Sequence, residues 1–228
     1  MSIQYSLSGL SFCSPADGKH YGPVSIEELP VLLHEANGAV VKTAERINLV
    51  VNTDRFAVVP VEIYNQDYDK DYLYTKNIVC GEDEIIMNSS TGAAVVIFPV
   101  KGRLVEELEK EAPEVRVVHT LNPCLSLAYR YAEKTKKYIL VSSMYEGVFS
   151  YAVVGKKNLL AVDCTADGGV AKAETITELL DGRYGISRGA VLLDDNGALA
   201  NIFKRVVGKT TSLSYGEYLG IIDEDSKR

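Results

Sequence analysis

Short apolar segments separated by turn residues predict two β-rich blocks along the chain. The first block holds strands at residues 3–7 and 10–13, with a turn at Ser8-Gly9 between them. The second block holds strands at 138–142, 147–154 and 159–163. The two blocks share a plan, which predicts two three-stranded meanders.

Five further segments have the spacing and end signals of helices. Ser25 and Glu28 have the spacing of a capping box, and Pro30 favours a regular helix that begins near Leu29. Asn122 and Pro123 suit an N-cap and the first helical position. The predicted helices cover residues 25–36, 102–112, 122–136, 171–180 and 198–207.

The remaining pattern predicts more strands between the helices. Residues 47–51 and 56–59 flank a polar turn and are predicted to form a hairpin. The continuous apolar run 93–99 is typical of a strand that is buried on both faces. Residues 115–119 and 190–193 are also predicted strands, and the tyrosine-rich stretch 65–92 is interpreted as loops with short strands. A meander, a helix and further strands, repeated once, indicate a duplicated α/β unit.

Composition narrows the class of function. The 228 residues carry a formal net charge of −7, whereas proteins that bind nucleic acid neutralise phosphates with clustered Lys and Arg, so no nucleic-acid partner is expected. The first positive charge is Lys19 and no apolar stretch precedes it, so neither a signal peptide nor a membrane span is predicted and a cytoplasmic location is expected. Cys13, Cys80, Cys124 and Cys164 are widely spaced, as is typical of reduced, structural cysteines.

Residues 138–154 resemble the second phosphate-loop hairpin of the actin-like ATPase superfamily. Gly168 and Gly169, followed by the predicted helix 171–180, stand where that superfamily has a Gly-Gly step that opens a helix. The resemblance implies an α/β fold of two duplicated ribonuclease H-like lobes, each with a mixed five-stranded sheet and helices. It implies an N-terminal lobe at residues 1–121 and a C-terminal lobe at 122–228.

Active members of the superfamily carry an Asp, then glycines, then Thr or Ser in this hairpin. In this chain the Asp position falls at Ser142 or Ser143, and the glycine positions fall at 145–147, of which only Gly147 is glycine. Glu146 places a negative charge where the resemblance expects a phosphate, and like charges repel. The chemistry of the second phosphate loop is therefore expected to be lost.

The first phosphate-loop position falls at residues 6–11, which contain neither Asp nor Lys. No cofactor is therefore expected, with ATP and magnesium as the less favoured alternative. The positions that the resemblance implies for cofactor binding, as remnants of the phosphate loops, are Ser8, Gly9, Ser143, Gly147, Gly168 and Gly169.

Within the superfamily the chain is similar to domain-of-unknown-function family 3822, a family of the Bacteroidota. The likeness rests on residues 6–12, 56–64, 72–74 and 93–113, whereas residues 183–228 match least. The resemblance implies a degenerate actin-like fold and brings no activity with it.

Other residue groups admit a functional and a structural interpretation. Asp67, Asp69 and Asp71 have the opening of a calcium loop, but Tyr72 and Ile78 stand where such a loop needs Gly and Glu, which favours a solvated acidic loop. His119 and Cys124 are five residues apart, but the sequence shows no third group to orient the imidazole, which favours structural roles.

Two further groups also admit both interpretations. Asp163, Asp167, Asp194 and Asp195 could gather around a metal, but Asn196-Gly197 is a common turn signal, which favours a turn at 194–197 that caps the helix beginning at Ala198. Tyr64, Tyr68, Tyr72 and Tyr74 either contact a partner or pack on their own domain.

The leading hypothesis is a non-catalytic protein of actin-like fold that serves as an interaction or scaffold module for a protein partner. The alternative is a nucleotide-binding enzyme of the sugar-kinase or ATPase type with an atypical phosphate site. A third hypothesis is a small-molecule binding protein that uses the same cleft. No catalytic residue and no metal ligand is predicted, and the state of the two hairpin turns distinguishes the first two hypotheses.

Overall fold

The structure is a computed structural model that describes most of the chain. The described residues are 2–6, 9–13, 20–31, 46–91, 94–111, 116–121, 124–125, 127–128, 130–131, 139–145, 148–155, 158–165, 169–184, 190–193, 197–204, 209–214, 217–218 and 221.

The described strands and helices follow one another in this order. The strands are β1 (Ser2–Ser6), β2 (Gly9–Cys13), β3 (His20–Val24), β4 (Arg46–Val51), β5 (Ala57–Pro60), β6 (Glu84–Thr91), β7 (Ala94–Lys101), β8 (Arg116–Leu121), β9 (Ile139–Tyr145), β10 (Val148–Gly155), β11 (Asn158–Thr165), β12 (Ala190–Leu193) and β13 (Thr210–Leu213). The helices are α1 (Asp69–Tyr74), α2 (Gly102–Glu111), α3 (Gly169–Tyr184) and α4 (Ala198–Phe203), with 3-10 turns at Val61–Ile63 and Gln66–Tyr68.

Two five-stranded sheets share one topology. The first has the order β3-β2-β1-β4-β8, with β1 to β3 antiparallel and β4 and β8 parallel to β1. The second has the order β11-β10-β9-β12-β13, with the same directions. Each sheet is therefore a meander followed by two parallel strands, which confirms the predicted fold class of two duplicated lobes with mixed five-stranded sheets. The lobe boundary between residues 121 and 122 stays a prediction.

A third sheet, β5-β7-β6, lies between β4 and β8 in the chain. The predicted hairpin of residues 47–51 and 56–59 is therefore wrong, because β4 pairs with β1 and β8 whereas β5 pairs with β7. The backbone N–H of Asn52 still donates to the carbonyl oxygen of Tyr5 at 2.8 Å, so the chain continues along β1 before it leaves the first sheet.

Strand β7 joins the third sheet to the main core, and it is buried on both faces as its apolar run predicts. Val96, Phe98 and Val100 belong to the large core cluster that also includes residues of both five-stranded sheets. Val95 and Ile97, on the opposite face, pack with Leu73 of α1. One face of β7 therefore packs in the main core and the other face packs in the smaller core of the third sheet, so this strand connects the two.

Several local predictions are confirmed, and others are wrong. The backbone N–H of Ser25 donates to the Glu28 carboxylate at 2.9 Å, as a capping box requires, and helical residues begin at Leu29. Strand β12 matches its prediction to the residue. By contrast, the stretch 65–92 contains α1 and the eight-residue β6, and strand β13 was not predicted.

An ion pair fastens the third sheet to the segment that leaves β4. Arg55 donates from both guanidinium nitrogens to Glu84, at 2.5 and 2.9 Å, and also to the carbonyl oxygen of Val79 at 2.8 Å. The hydrogen bonds from Arg55 hold the pKa of Glu84 below its ordinary value of 4.5. The side chain of Glu84 is only 9% exposed, which limits screening by solvent.

We expect Glu84→Gln to lower the free energy of unfolding by about 1–2 kcal/mol at pH 7, because it weakens a two-pronged, charge-assisted pair. A lowered carboxyl pKa stabilises the fold above the unfolded value and loses that effect as the pH falls. The difference between wild type and variant in urea denaturation should therefore shrink below about pH 4.5. Asp83→Asn, which breaks the solvent-exposed pair with Lys101, should have little effect, and an equal loss there would contradict the prediction.

Candidate functional site: the two hairpins and the cavity between β5 and β11

The first hairpin uses its glycine for packing. Ser6 of β1 pairs with Gly9 of β2, and Gly9 has a φ of 129°. A Cβ atom at this position would lie 2.4 Å from the carbonyl oxygen of Val24 in β3. Gly9 is therefore needed for the close approach of β2 and β3. Ser8 lies outside the described residues.

The second hairpin buries the positions where the resemblance places an Asp. Ser142 and Ser143 of β9 have 0% exposure, and the hydroxyl of Ser142 has no hydrogen-bond partner among the described residues. Gly147 and Gly168 are outside the described residues, and Gly169 is the first residue of α3. The six positions predicted for cofactor binding stay a prediction, with Ser143 enclosed in the sheet.

A row of small polar side chains crosses the second sheet. Ser150 of β10 pairs with Ser143 on one side and with Cys164 of β11 on the other. The thiol of Cys124 lies 3.4 Å from both the hydroxyl and the carbonyl oxygen of Ser150. Burial raises the pKa of the Cys124 thiol well above its ordinary value, against the reactivity of a nucleophile. The side chain of His119 is outside the described residues, so the His119–Cys124 pair stays a prediction.

A cavity of about 590 Å³ lies between β5 and β11. One part of the lining is formed by alternate residues of a single segment, namely Asp54, Phe56, Val58 and Pro60, and another part by residues 159–163 of β11. Lys76, Ile78 and Ala94 complete the lining. The volume is within the range of ligand sites in proteins, about 300–1,000 Å³.

The walls combine apolar support with three charged groups. Phe56, Val58, Leu159 and Val162 pack against the main core cluster, which holds both walls in place. Asp54, Asp163 and Lys76 are exposed and supply two carboxylates and one ammonium group. The arrangement suits a partly apolar ligand with a positive group.

Asp54 and Asp163 both line the cavity, although they are distant in the sequence. Asp54 lies between β4 and β5, whereas Asp163 lies in β11. Burial raises the pKa of the nearby Cys164 thiol to about 12, and the negative charges of Asp54 and Asp163 add to that effect.

The wall strand β11 is irregular inside the cavity. Val153 of β10 pairs with Ala161 and Val154 pairs with Leu159, so β11 has one more residue, Leu160, across this step. Such bulges bend a strand and are frequent at sheet edges and beside functional sites. The bulge places the extra residue Leu160 within the stretch of β11 that lines the cavity.

Of the four clustered tyrosines, two pack within their own domain and two are exposed, so each of the two interpretations fits one pair. Tyr64 and Tyr72 stack with ring centroids 6.2 Å apart, and Tyr72 donates from its hydroxyl to the carbonyl oxygen of Ile63. These two rings pack on their own domain, whereas Tyr68 and Tyr74 are 52% and 71% exposed.

The aspartates with the spacing of a calcium loop lie in a 3-10 turn and helix α1. Asp69 is buried and accepts hydrogen bonds from the Tyr64 hydroxyl at 3.3 Å and from the Asn88 amide at 3.2 Å. The predicted solvated acidic loop is therefore wrong in its conformation and for Asp69, which these donors hold inside the protein, whereas Asp67 and Asp71 are exposed as that interpretation expects.

The other candidate groups are placed as follows. Asp163 lines the cavity, whereas Asp167, Asp194 and Asp195 lie outside the described residues. Helix α4 begins at Ala198 as predicted, but its N-cap is Gly197 in a left-handed conformation, so Asp195 or Asn196 does not hold that place. Among the described residues no group of three His, Cys, Asp or Glu side chains is arranged to hold a metal ion. No described helix is long and apolar enough to cross a bilayer.

Sequence reasoning missed the cavity because its walls come from distant segments. Asp54 was assigned to the turn of a hairpin that does not form, and Lys76 to a loop. The usable signal was the alternation of Asp54, Phe56, Val58 and Pro60, which places one carboxylate and three apolar side chains along one side of the segment that leads into β5.

The two five-stranded sheets of the same topology identify the fold as the actin-like ATPase fold. A crystal structure from Bacteroides thetaiotaomicron VPI-5482, described as a protein with actin-like ATPase fold and unknown function, superposes with a TM-score of 0.68 at 16% identity, covering 93% of this chain and 89% of that one. The PilM–PilN type IV pilus biogenesis complex gives a TM-score of 0.51 at 13% identity, covering 92% and 87%. These likenesses show the fold alone.

The family follows from the sequence match. The chain belongs to the family described as "Protein of unknown function (DUF3822)", whose model matches residues 1–163. No curated protein matches the chain significantly in sequence.

Proposed function

We propose that this protein is a non-catalytic interaction or scaffold module of actin-like fold whose nucleotide site is degenerate. The observation that carries the proposal is the burial of Ser142 and Ser143, the two residues at which the resemblance places the Asp of active relatives. Both hydroxyls are neutral and enclosed in the sheet. They therefore offer no charge to a magnesium ion, which proteins bind through carboxylates and the phosphates of the substrate.

The first hairpin supports the same proposal. Gly9 lies so close to the Val24 carbonyl group that no side chain fits there. This contact explains the glycine without any role in phosphate binding. Residues 6–11 contain neither an acidic residue that could bind a metal ion nor a lysine that could bind a phosphate. The first hairpin thus has a structural reason for the glycine that it keeps.

Three features favour a protein partner. The exposed rings of Tyr68 and Tyr74 provide large apolar area with a polar tip, which suits an interface. The cavity between β5 and β11 offers a further recessed surface. A structural neighbour, PilM, is described as a complex with PilN, so this fold supports partner binding in at least one other protein. The proposal includes a cytoplasmic location.

A thermal-shift titration with Mg-ATP, Mg-ADP and Mg-GTP tests the degenerate site. We expect no shift in Tm at millimolar nucleotide. A ligand at 100 times its Kd would add about 2.7 kcal/mol, which corresponds to roughly 5–10 °C for a chain of this size. Magnesium alone and ATP with EDTA serve as controls for ionic effects. A saturable shift that requires both magnesium and nucleotide would overturn the proposal in favour of the nucleotide-binding enzyme.

A further inference from the structure

The exposed apolar side chains are concentrated in one short stretch of the chain. Of the eight large apolar side chains that are exposed among the described residues, six lie between residues 61 and 85. Single exposed apolar residues scattered over a surface are ordinary, whereas a concentration of them is a mark of an interaction site. We call this set the 61–85 surface, and its members are Val61, Ile63, Tyr68, Tyr74, Val79 and Ile85.

The Tyr72 hydroxyl brings the first part of this surface together. It donates to the carbonyl oxygen of Ile63 at 3.1 Å and accepts from the backbone N–H of Asn65 at 3.3 Å. Ile63 ends the first 3-10 turn, and Asn65 caps the second, which ends at Tyr68. The two turns therefore meet at one ring, and each carries an exposed apolar side chain.

The second part of the surface is held by the Arg55 guanidinium. It donates to the carbonyl oxygen of Val79 at 2.8 Å and to the carboxylate of Glu84, the residue that precedes Ile85. Helix α1 is fixed from below by Leu73, which is fully buried in the small core of the third sheet. The exposed side chains thus stand on a hydrogen-bonded and packed backbone, which lowers the cost of ordering this surface on binding.

Negative charge accompanies these apolar side chains. Residues 61–85 contain seven acidic and two basic residues, a net charge of −5 out of the −7 of the whole chain. Glu62, Asp67 and Asp71 are exposed, and each lies beside or within one helical turn of an exposed apolar residue of the surface. Most of the net charge and most of the exposed apolar side chains therefore occur in the same stretch.

This charge decides between the candidate occupants of the surface. Nucleic acid and anionic bilayers are themselves negative and would be repelled. A second copy of the chain would bring another net charge of −5 against the first, which opposes self-association through this surface. A protein segment with both apolar and positive side chains complements both properties, because it buries the apolar area and neutralises the carboxylates.

We infer that the 61–85 surface is the docking site for a basic, apolar segment of a partner protein. Its exposed tyrosine and aliphatic side chains supply the buried contact, and its carboxylates attract and orient the segment. The inference rests on the proposed interaction role and gives that role a place on the chain and a class of partner.

The probe is a phage-displayed library of random peptides selected on the full chain. We expect the enriched peptides to combine a net positive charge with aromatic or aliphatic residues. Fluorescein-labelled copies of these peptides are then titrated by fluorescence anisotropy. The affinity should fall by roughly tenfold or more between about 0.02 M and about 0.5 M salt, because salt screens the attraction between exposed charges.

The double variant Ile63→Ser/Tyr68→Ser tests the apolar contact. It removes two exposed side chains from the turns that meet at Tyr72 and should weaken the selected peptides by roughly tenfold or more. The matched control is Val31→Ser/Leu179→Ser, which removes two similarly exposed apolar side chains elsewhere and should leave the affinity unchanged. Thermal denaturation of both double variants checks that each is folded.

The double variant Glu62→Gln/Asp71→Asn tests the charge. It should weaken the peptides by roughly threefold or more at low salt and make their binding less dependent on salt, because two attracting carboxylates are lost. The matched control is Glu109→Gln/Glu178→Gln, which makes the same change of charge at exposed positions of α2 and α3 and should have little effect.

Several results would overturn the inference. They are the absence of enriched peptides, enriched peptides without a net positive charge, and equal affinity of wild type and the Ile63→Ser/Tyr68→Ser variant. A dimer in sedimentation velocity that this variant dissociates would assign the surface to a second copy instead. Flotation with vesicles of phosphatidylcholine and phosphatidylglycerol that this variant abolishes would assign it to lipid.

These outcomes are separate from the nucleotide titration. Saturable Mg-ATP binding would contradict the degenerate site and leave the 61–85 surface standing. Failure of the peptide experiments would contradict the docking site and leave the degenerate site standing.

Discussion

Gly9→Ala is expected to lower the free energy of unfolding by about 2–5 kcal/mol, because the substitution creates both backbone strain and a steric clash. At a φ of 129° a residue with a side chain is strained, and the added Cβ atom would lie 2.4 Å from the Val24 carbonyl oxygen. Relief requires β3 to move away from β2, which breaks the pairing of Leu10 with Val24. Urea denaturation followed by circular dichroism measures the loss.

Two other glycines provide graded controls for this prediction. Gly197 has a φ of 71° but open space around its Cα, so Gly197→Ala should cost only the left-handed conformation, about 1–2 kcal/mol. Gly182 lies in α3, and a Cβ atom added there would have no other atom within 4 Å. Gly182→Ala should therefore leave the free energy of unfolding unchanged or raise it by about 0.5–1 kcal/mol. A Gly9→Ala variant as stable as Gly182→Ala would refute the packing role of Gly9.

The outcome bears on function as well as on stability. If Gly9 is needed to bring β2 against β3, its presence in the first hairpin is no sign of phosphate binding. Gly9→Ala with unchanged stability would instead return this glycine to the group of ligand-binding candidates.

Phe98→Ala is expected to lower the free energy of unfolding by about 3–5 kcal/mol, the usual range for a buried phenylalanine. Phe98 has 0% exposure and packs in the cluster that contains residues of both five-stranded sheets. The substitution leaves a cavity where the third sheet meets the main core. The loss should therefore appear both in urea denaturation and as faster hydrogen exchange in β5 and β6.

Two variants test whether the loss of stability is specific to Phe98 or follows from any substitution in this part of the chain. Phe98→Leu keeps much of the apolar volume and should cost clearly less than the alanine variant. Tyr74→Ala removes a ring that is 71% exposed on the same part of the chain, so its effect should be within about 0.5 kcal/mol. Similar losses for Tyr74→Ala and Phe98→Ala would contradict the assigned anchoring role of β7.

Local signals predicted most of the elements. The capping box at Ser25, the apolar run of β7 and strand β12 depend on neighbours a few residues away, and each appears where the sequence placed it. The second meander also follows from its own pattern, because hairpins join residues that are close along the chain.

Predictions failed where pairing depends on distant residues. Strand β4 was assigned to a hairpin with β5, but its partners β1 and β8 lie far away in sequence. Strand β6 is polar for much of its length, and only its pairing with the buried β7 makes it a strand. Strand β13 has exposed threonine and serine residues and depends likewise on β12.

The sequence by itself determined the superfamily, the family and which residues stand at the positions that the resemblance assigns to the phosphate loops, because these are properties of short motifs. Only the tertiary structure decided that Ser142 and Ser143 are enclosed, that Gly9 lies in close contact with Val24, and that Asp54 and Asp163 line one cavity. The physical reason is that burial, close approach and the lining of a cavity are set by segments that meet in space, and no local pattern encodes which segments those are.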